Sequence, residues 1–180
     1  FAETIRASSD ALLLIVNDIL DFSKIEAGKM ELEKNPLHLR ECLESAVDLL
    51  ALKASEKNLE MGILLDASVP FGIEGDVTRL RQVLVNLLDN IVTYPPRRTS
   101  VWLRAGVKEA EVIVAVADNG PGVPAADREK LFMPYYSTKG RGSGLGLAIV
   151  RRILVEHGGG IEADEAQPSG TRFTVELPAA

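Results

Sequence analysis

Cysteine is nearly absent. Cys42 is the one such residue among 180, which excludes an intramolecular disulfide framework and a cysteine-cluster zinc site and fits a reducing, cytoplasmic setting. Aromatic residues make up only 5% of the chain, so a core must be built from aliphatic side chains. Positive charge is short as well: 20 Lys+Arg against 26 Asp+Glu leave a net charge of −6 at pH 7, the wrong field for a protein that grips nucleic acid. No long hydrophobic run is present. The longest strongly apolar stretch, 11–16, gives way to Asn17 and Asp18, far short of the ~20 residues that span a bilayer. The first residues also lack the basic, apolar and small-residue layout of a secretory signal. The chain as given therefore reads as soluble, without membrane contact of its own. Its opening at Phe1, inside a helical pattern, reads as that of a fragment of a longer protein and leaves room for a membrane span upstream.

What is present is enough for a folded core. With 46% hydrophobic and 26% charged residues the composition is globular, and the length suits one domain, or one domain with an appendage. Residues 2–27 hold neither Pro nor Gly, and two heptad-spaced sets, Ile5, Leu12, Ile19 and Ser8, Ile15, Phe22, outline a coiled-coil or bundle seam that Leu13, Val16 and Leu20 widen. Such a helix needs a partner: another helix, a second copy of the chain, or the body of its own domain. Gly28 ends it. A connector, 29–36, contains a Met30-Glu31-Leu32-Glu33 alternation that reads as a short strand. The pattern then predicts a helix over 39–57, a strand over 59–65, a turn-rich piece over 66–75, and a helix from Asp76, its N-cap, to about Val92, closed by Pro95-Pro96. Runs 100–107 and 111–118 read as a hairpin, 119–142 as loop, 144–157 as a helix and 161–164 and 171–177 as strands. This order predicts an α+β fold, an α/β sandwich with helices on one sheet face. No internal repeat is apparent.

Three stretches could carry chemistry. On the helix after Asp76, an apolar stripe of Val77, Leu80, Leu84, Leu87, Leu88 and Ile91 leaves Gln82, Asn86 and Asn90, four apart, on another side. Stacked carboxamides could offer neutral oxygens to a hydrated Mg²⁺, or they could simply be a solvated face. Asp118-Asn119-Gly120-Pro121-Gly122 stands where a strand meets a loop. A carboxylate there can accept from an exocyclic amine such as that of adenine, though the same residues also make plain turns. Gly140-Arg141-Gly142-Ser143-Gly144-Leu145-Gly146-Leu147 runs straight into a helix. Exposed amides at a helix start suit phosphate oxygens, and Lys139 and Arg141 can add charge. It is neither a Walker loop nor a dinucleotide fingerprint, and taken alone it could be a flexible linker.

Taken together and in this order, the motifs resemble the catalytic ATP-binding domain of sensor histidine kinases, within the superfamily that includes DNA gyrase, heat-shock chaperones and mismatch-repair ATPases. Asn86-Leu87-Leu88-Asp89-Asn90 is similar to the N box, Asp118 to Gly122 to the first glycine box, Leu131-Phe132-Met133-Pro134 to the F box and Gly142 to Leu147 to the second glycine box. Gly170-Thr171-Arg172-Phe173 is similar to the final glycine motif. Residues 1–28, with Asp21-Phe22-Ser23-Lys24-Ile25-Glu26-Ala27-Gly28, resemble the second helix of the family's dimerisation and phosphotransfer domain; 29–36 would be the linker and 37–180 the catalytic domain.

The resemblance implies a mixed, mostly antiparallel sheet, and ATP with Mg²⁺ as cofactors. It implies that Asp118 binds the adenine amino group, Asn90 ligates the metal, and Gly120 and Gly122 leave room for the base. Thr171 would lie near the adenine, and residues 132–144 would form a short lid. Nucleotide contacts would extend over Asn86, Tyr94, Lys139, Gly142, Ser143, Gly144, Leu145, Gly146 and Leu147, with Asn86 and Lys139 the catalytic candidates. Superfamily ATPases carry Glu where this chain has Asn86, and a carboxamide cannot act as general base, so phosphoryl transfer is expected over hydrolysis. The acceptor histidine would precede Phe1, for relay to a response regulator receiver domain; His38 and His157 have ordinary structural explanations, a helix flank and a helix end where a cation suits the dipole. A homodimer through the first helix is implied, and no nucleic acid. The chain departs from the family pattern at Ile91, usually Ala, and Thr93, usually basic, with Lys139 or Arg141 as compensating cations. A nucleotide-binding module without kinase activity, a gyrase-like ATPase and a purely helical interaction protein remain as alternatives.

Overall fold

The computed structural model describes residues 2–93, 99–137 and 143–179, and within the first helix the side chains of Ser9, Leu12, Leu13 and residues 15–26. In chain order the elements are α1 (Ala2–Glu26), β1 (Asn35–Leu37), α2 (Leu39–Glu56), β2 (Glu60–Leu65), β3 (Ile73–Gly75), α3 (Val77–Thr93), β4 (Ser100–Lys108), β5 (Glu111–Asp118), α4 (Ala125–Arg128), a 3₁₀ turn (Glu129–Phe132), α5 (Gly146–Glu156), β6 (Gly160–Glu165) and β7 (Thr171–Pro178). The main sheet has five strands in the order β2-β4-β5-β7-β6. Only β2 and β4 run parallel, as the α3 crossover between them requires; the other pairings are antiparallel. The expected α+β sandwich with a mixed sheet is what forms.

Alternation explains which sheet face is buried. Val101, Leu103 and Ala105 of β4, Val112, Val114 and Val116 of β5, and Phe173, Val175 and Leu177 of β7 all point into one core. Leu43 and Ala46 of α2, Leu80, Leu84, Leu87 and Leu88 of α3, and Ile149, Ile153 and Leu154 of α5 meet them from the helical layer. The stripe on α3 is as the spacing predicts except at its start, where Val77 stays exposed while Val83 is buried. Asp76 caps α3: its Oδ1 accepts the amides of Thr78 and Arg79, both at 3.0 Å. Gly28 closes α1 as expected, with the Lys29 amide donating to the Lys24 carbonyl at 2.9 Å.

Four readings need correction. Residues 30–34 are not a strand; Met30 packs against the core instead, and the strand begins later, at Asn35, paired antiparallel with β3 inside the stretch expected to be only turns. Residues 125–132 within the expected loop form two short helical turns, because Ala125 to Phe132 contains neither Gly nor Pro. Helix α5 starts at Gly146, not 144. His157 does not serve as a cation at the α5 terminus: its Nδ1 donates to the Ile153 carbonyl at 2.8 Å while Nε2 accepts the Asp76 amide at 3.1 Å, a pattern that needs the uncharged ring.

The first helix shows two sides. Leu12, Leu13, Val16 and Leu20 of the expected seam are exposed in the single chain; Phe22, placed in the same seam by spacing, packs on the core instead. The side chains of Ile5 and Ser8 and the closing Pro95-Pro96 lie outside the described residues.

Candidate functional site

The end of β5, the last turn of α3, the start of α5 and the start of β7 converge on one cleft. Asn90, Ile91, Asp118, Pro121, Gly122, Val123, Leu131, Leu147, Thr171 and Phe173 line it. Asp118 is the last residue of β5 and is buried. Its Oδ1 accepts the Gly120 amide at 2.7 Å and its Oδ2 the Thr171 amide at 3.3 Å. These two amides aim the carboxylate from both sides of a sheet seam, since β5 and β7 are paired neighbours. A buried acceptor amid apolar walls strongly favours a ligand that brings a donor. The walls are apolar side chains: Pro121, Leu131 and Phe173 stand within the motif stretches and Ile91 at a departure from the family pattern, while Val123 lies outside every motif. Phe132 stands edge-on to Phe173 at 6.4 Å and supports that wall.

Close backbone packing explains the glycines here. Gly122 has φ +75°, and a Cβ on it would lie 2.9 Å from the Gly170 carbonyl oxygen. Gly170 has φ +114°, and a Cβ there would lie 1.9 Å from the Asp118 carbonyl oxygen. Three backbone segments are thus stacked where no side chain fits.

The amide-bearing face of α3 divides. Asn90 lines the cleft, with Nδ2 donating to the Asn86 carbonyl at 2.8 Å, which leaves Oδ1 as its acceptor for a ligand. Asn86 Nδ2 reaches the Gly146 carbonyl at 3.4 Å, tying α3 to the first residue of α5 beside the cleft. Gln82, expected on the same face, belongs elsewhere: its Nε2 donates to Asp21 of α1 at 2.8 Å. The second glycine stretch is also split. Leu147 lines the cleft and Leu145 is buried. Gly144 packs on the Tyr135 backbone, and the Ser143 hydroxyl donates to Asp18 of α1 at 2.8 Å. Tyr94, Lys139, Arg141 and Gly142 lie outside the described residues. At Thr93 a cation does arrive, from a helix the motifs did not point to: Lys53 of α2 donates to its hydroxyl at 2.7 Å and pairs with Asp89. Nothing in the sequence marks Lys53 for that position, since α2 and α3 come together in the tertiary fold.

No cluster of three or more His, Cys, Asp or Glu side chains suited to a metal occurs among the described residues. A protein-caged ion therefore does not match this donor set, whereas the neutral Asn90 oxygen suits a hydrated Mg²⁺ that arrives with phosphate oxygens. No helix of the described residues is long and apolar enough to cross a membrane.

Residues 75–180 match the family model described as histidine kinase-, DNA gyrase B-, and HSP90-like ATPase. The chain is also 37% identical over 185 residues to the sensor protein GacS of Pseudomonas syringae pv. syringae, covering 97% of this chain and 20% of that protein. The chain belongs to the histidine kinase-, DNA gyrase B-, and HSP90-like ATPase family. It carries the family's ATP-binding catalytic domain and spans about a fifth of the length of such relatives. Among solved structures, full-length ShkA in complex with AMPPNP superposes with a TM-score of 0.89 at 34% identity, over 99% of this chain and 38% of that one. The histidine kinase ThkA in complex with the response regulator protein TrrA gives a TM-score of 0.79 at 28% identity, over 98% of this chain and 50% of that one.

Proposed function

We propose that the cleft holds Mg-ATP and that this kinase region transfers the γ-phosphoryl group to a histidine on a phosphotransfer helix outside residues 1–180, for relay to an aspartate of a receiver domain. The observation that carries the reading is the buried Asp118 carboxylate, fixed by the Gly120 and Thr171 amides at the end of an apolar cleft. That acceptor recognises the adenine amino group and rejects the carbonyl that guanine offers at the same place. Ile91, Val123, Leu131 and Phe173 cover the base, and Gly122 allows it to approach the backbone. Asn90 Oδ1 holds the metal, which when bound offsets the charge of the phosphates. Ser143, Gly144, Gly146 and the start of α5 face the phosphate chain, with Tyr94, Lys139 and Gly142 completing the set. Asn86 orients rather than activates: a carboxamide takes no proton from water, so hydrolysis is slow and transfer rests on positioning. In the transfer the bond between the γ-phosphorus and the bridging oxygen breaks, ADP leaves, and the acceptor's neutral imidazole nitrogen supplies the electron pair of the new bond.

ShkA was solved with AMPPNP and ThkA with a response regulator, and both support carrying nucleotide and receiver partner over to this chain. We assign 1–28 to the second helix of the phosphotransfer domain, 29–36 to the linker and 37–180 to the catalytic domain, with a homodimer through the exposed side of α1 and a cytoplasmic setting. The departures from the family pattern at Ile91 and Thr93 leave a second reading, a nucleotide-binding module without kinase activity. Calorimetry with Mg-ADP, on the chain and on Asp118→Ala, tests the cleft: binding that the substitution abolishes is expected, and equal affinity removes the adenine assignment. Radiolabelled ATP with a separately supplied phosphotransfer domain then decides between kinase and module. Label on that domain is expected, and none on His38 or His157.

A further inference from the structure

Helix α1 is fastened to the catalytic unit along one line of residues spaced three and four apart, Asp18, Asp21, Phe22 and Ile25. Asp18 Oδ2 accepts the Ser143 hydroxyl at 2.8 Å. Asp21 Oδ2 accepts from Arg79 Nη1 at 3.0 Å and from Gln82 Nε2 at 2.8 Å, and the Asp21 and Arg79 side chains are 18% and 23% exposed. Phe22 stands edge-on to Tyr135 at 5.9 Å, and Ile25 is buried in the core. Ser143 Oγ also accepts the Leu145 amide at 3.2 Å, at the N-cap of α5. A carboxylate from α1 therefore already engages the glycine stretch that the proposed function gives to the phosphates. Burial and the neighbouring Asp21 charge push the Asp18 carboxyl upward, against the opposite effect of the Ser143 bond.

We propose that Asp18 is a positioning residue that makes docking of α1 and binding of the triphosphate antagonistic. The inference rests on the placement of phosphates at Ser143 and the start of α5. The Ser143 hydroxyl has one proton, so while it donates to Asp18 it cannot donate to a phosphate oxygen. The Asp18 and Asp21 charges oppose a further anion in the same neighbourhood. By linkage, whatever the docked helix takes from the affinity for the phosphates, bound phosphates take from the docking of the helix. Adenosine, which has no phosphates, escapes both effects.

The test is calorimetry of the whole chain and of Asp18→Asn with Mg-ATP and with adenosine, together with amide hydrogen exchange over residues 18–26. Asp18→Asn keeps the size of the side chain while removing its charge. It is expected to tighten Mg-ATP binding by about tenfold, one like-charge contact in a partly solvated site, and to leave adenosine binding unchanged. In the unsubstituted chain Mg-ATP is expected to speed exchange over 18–26, and adenosine is not. Unchanged or weaker Mg-ATP binding by Asp18→Asn, an equal gain for adenosine, or exchange insensitive to Mg-ATP overturns the inference. If the unsubstituted chain binds neither ligand, the nucleotide reading itself fails and the inference falls with it.

Discussion

Gly170 gives the sharpest test of how the cleft is built. Replacing it with Ala adds one carbon, at a place 1.9 Å from the Asp118 carbonyl oxygen, 2.7 Å from its carbonyl carbon and 3.0 Å from the Asn119 Cα. Non-bonded carbon atoms settle at about 3.5–4.0 Å, so the methyl overlaps backbone by more than 1 Å, and no flexible side chain stands ready to yield. A non-glycine residue at φ +114° also carries strain of about 1–3 kcal/mol. Relief requires separating β7 from the end of β5, where Ala117 pairs with Arg172. Together these effects predict a loss of at least about 4 kcal/mol, at the upper end of single substitutions. At ~2–4 °C per kcal/mol for a domain of this size, the melting temperature should fall by about 8–16 °C. Thermal unfolding followed by circular dichroism measures it, with Gly62→Ala as control, because nothing lies within 4 Å of a Cβ there. The control should melt within about 2 °C of the parent or slightly above it. A Gly170→Ala protein that melts within 2 °C of the parent and binds Mg-ADP unchanged would refute the stacked-backbone account of the cleft.

Other expectations follow from single contacts. Asp76→Ala removes the acceptors of the Thr78, Arg79 and Glu33 amides and should cost about 2 kcal/mol in urea titrations, whereas Asp76→Asn should cost less than half of that; equal losses would count against the capping role. Burial pushes the Cys42 thiol up to about 11, only partly offset by Arg81. Cys42 should therefore resist thiol reagents at pH 8 until the chain unfolds. Since the unfolded thiol ionises first, near 9.0, its contribution to stability is complete below that pH and is lost as the pH rises toward 11, a fall of up to about 3 kcal/mol; native labelling at the rate of a free thiol would contradict the burial. Lys53 and Asp89 are both about half exposed, so Lys53→Gln should cost under about 1 kcal/mol and less still in high salt, read from the same titrations; a loss above 2 kcal/mol would mean that the pair does more than close a surface contact.

Period and punctuation made most of the fold legible. The 3.6-residue stripe on α3, the alternating Val101, Leu103 and Ala105, and Gly28 after α1 each state their structure locally, and part of each motif stretch, Asn90, Asp118 with Pro121 and Gly122, and Leu147, lines the cleft. What escaped was made by contacts between distant residues. A three-residue strand such as Ile73–Gly75 has no period to read, and it exists because Asn35–Leu37 comes to lie beside it. The Met30-Glu31-Leu32-Glu33 alternation imitates a strand but pairs with no strand among the described residues. Seven-residue spacing put Phe22 in a seam, yet Tyr135 claims it. Gln82 shares a helical face with Asn86 and Asn90 by arithmetic, and only the position of Asp21, far away in sequence, decides that it turns to α1. His157 looked like a terminal cation until the Asp76 amide met its Nε2.

The pairing of Asp118 with the Thr171 amide has a consequence for how the chain matures. Its two partners stand far apart in sequence, and they meet only after α5 has crossed and β7 has inserted beside β5. The pocket is thus incomplete until residues 171–178 have joined the sheet, and a chain in which they have not has no such place to hold a ligand. Whatever fills the finished pocket favours the completed fold alone, by about 2.7 kcal/mol at a hundredfold excess over its dissociation constant. Occupancy then doubles as a quality check: a chain that retains its ligand has closed its sheet.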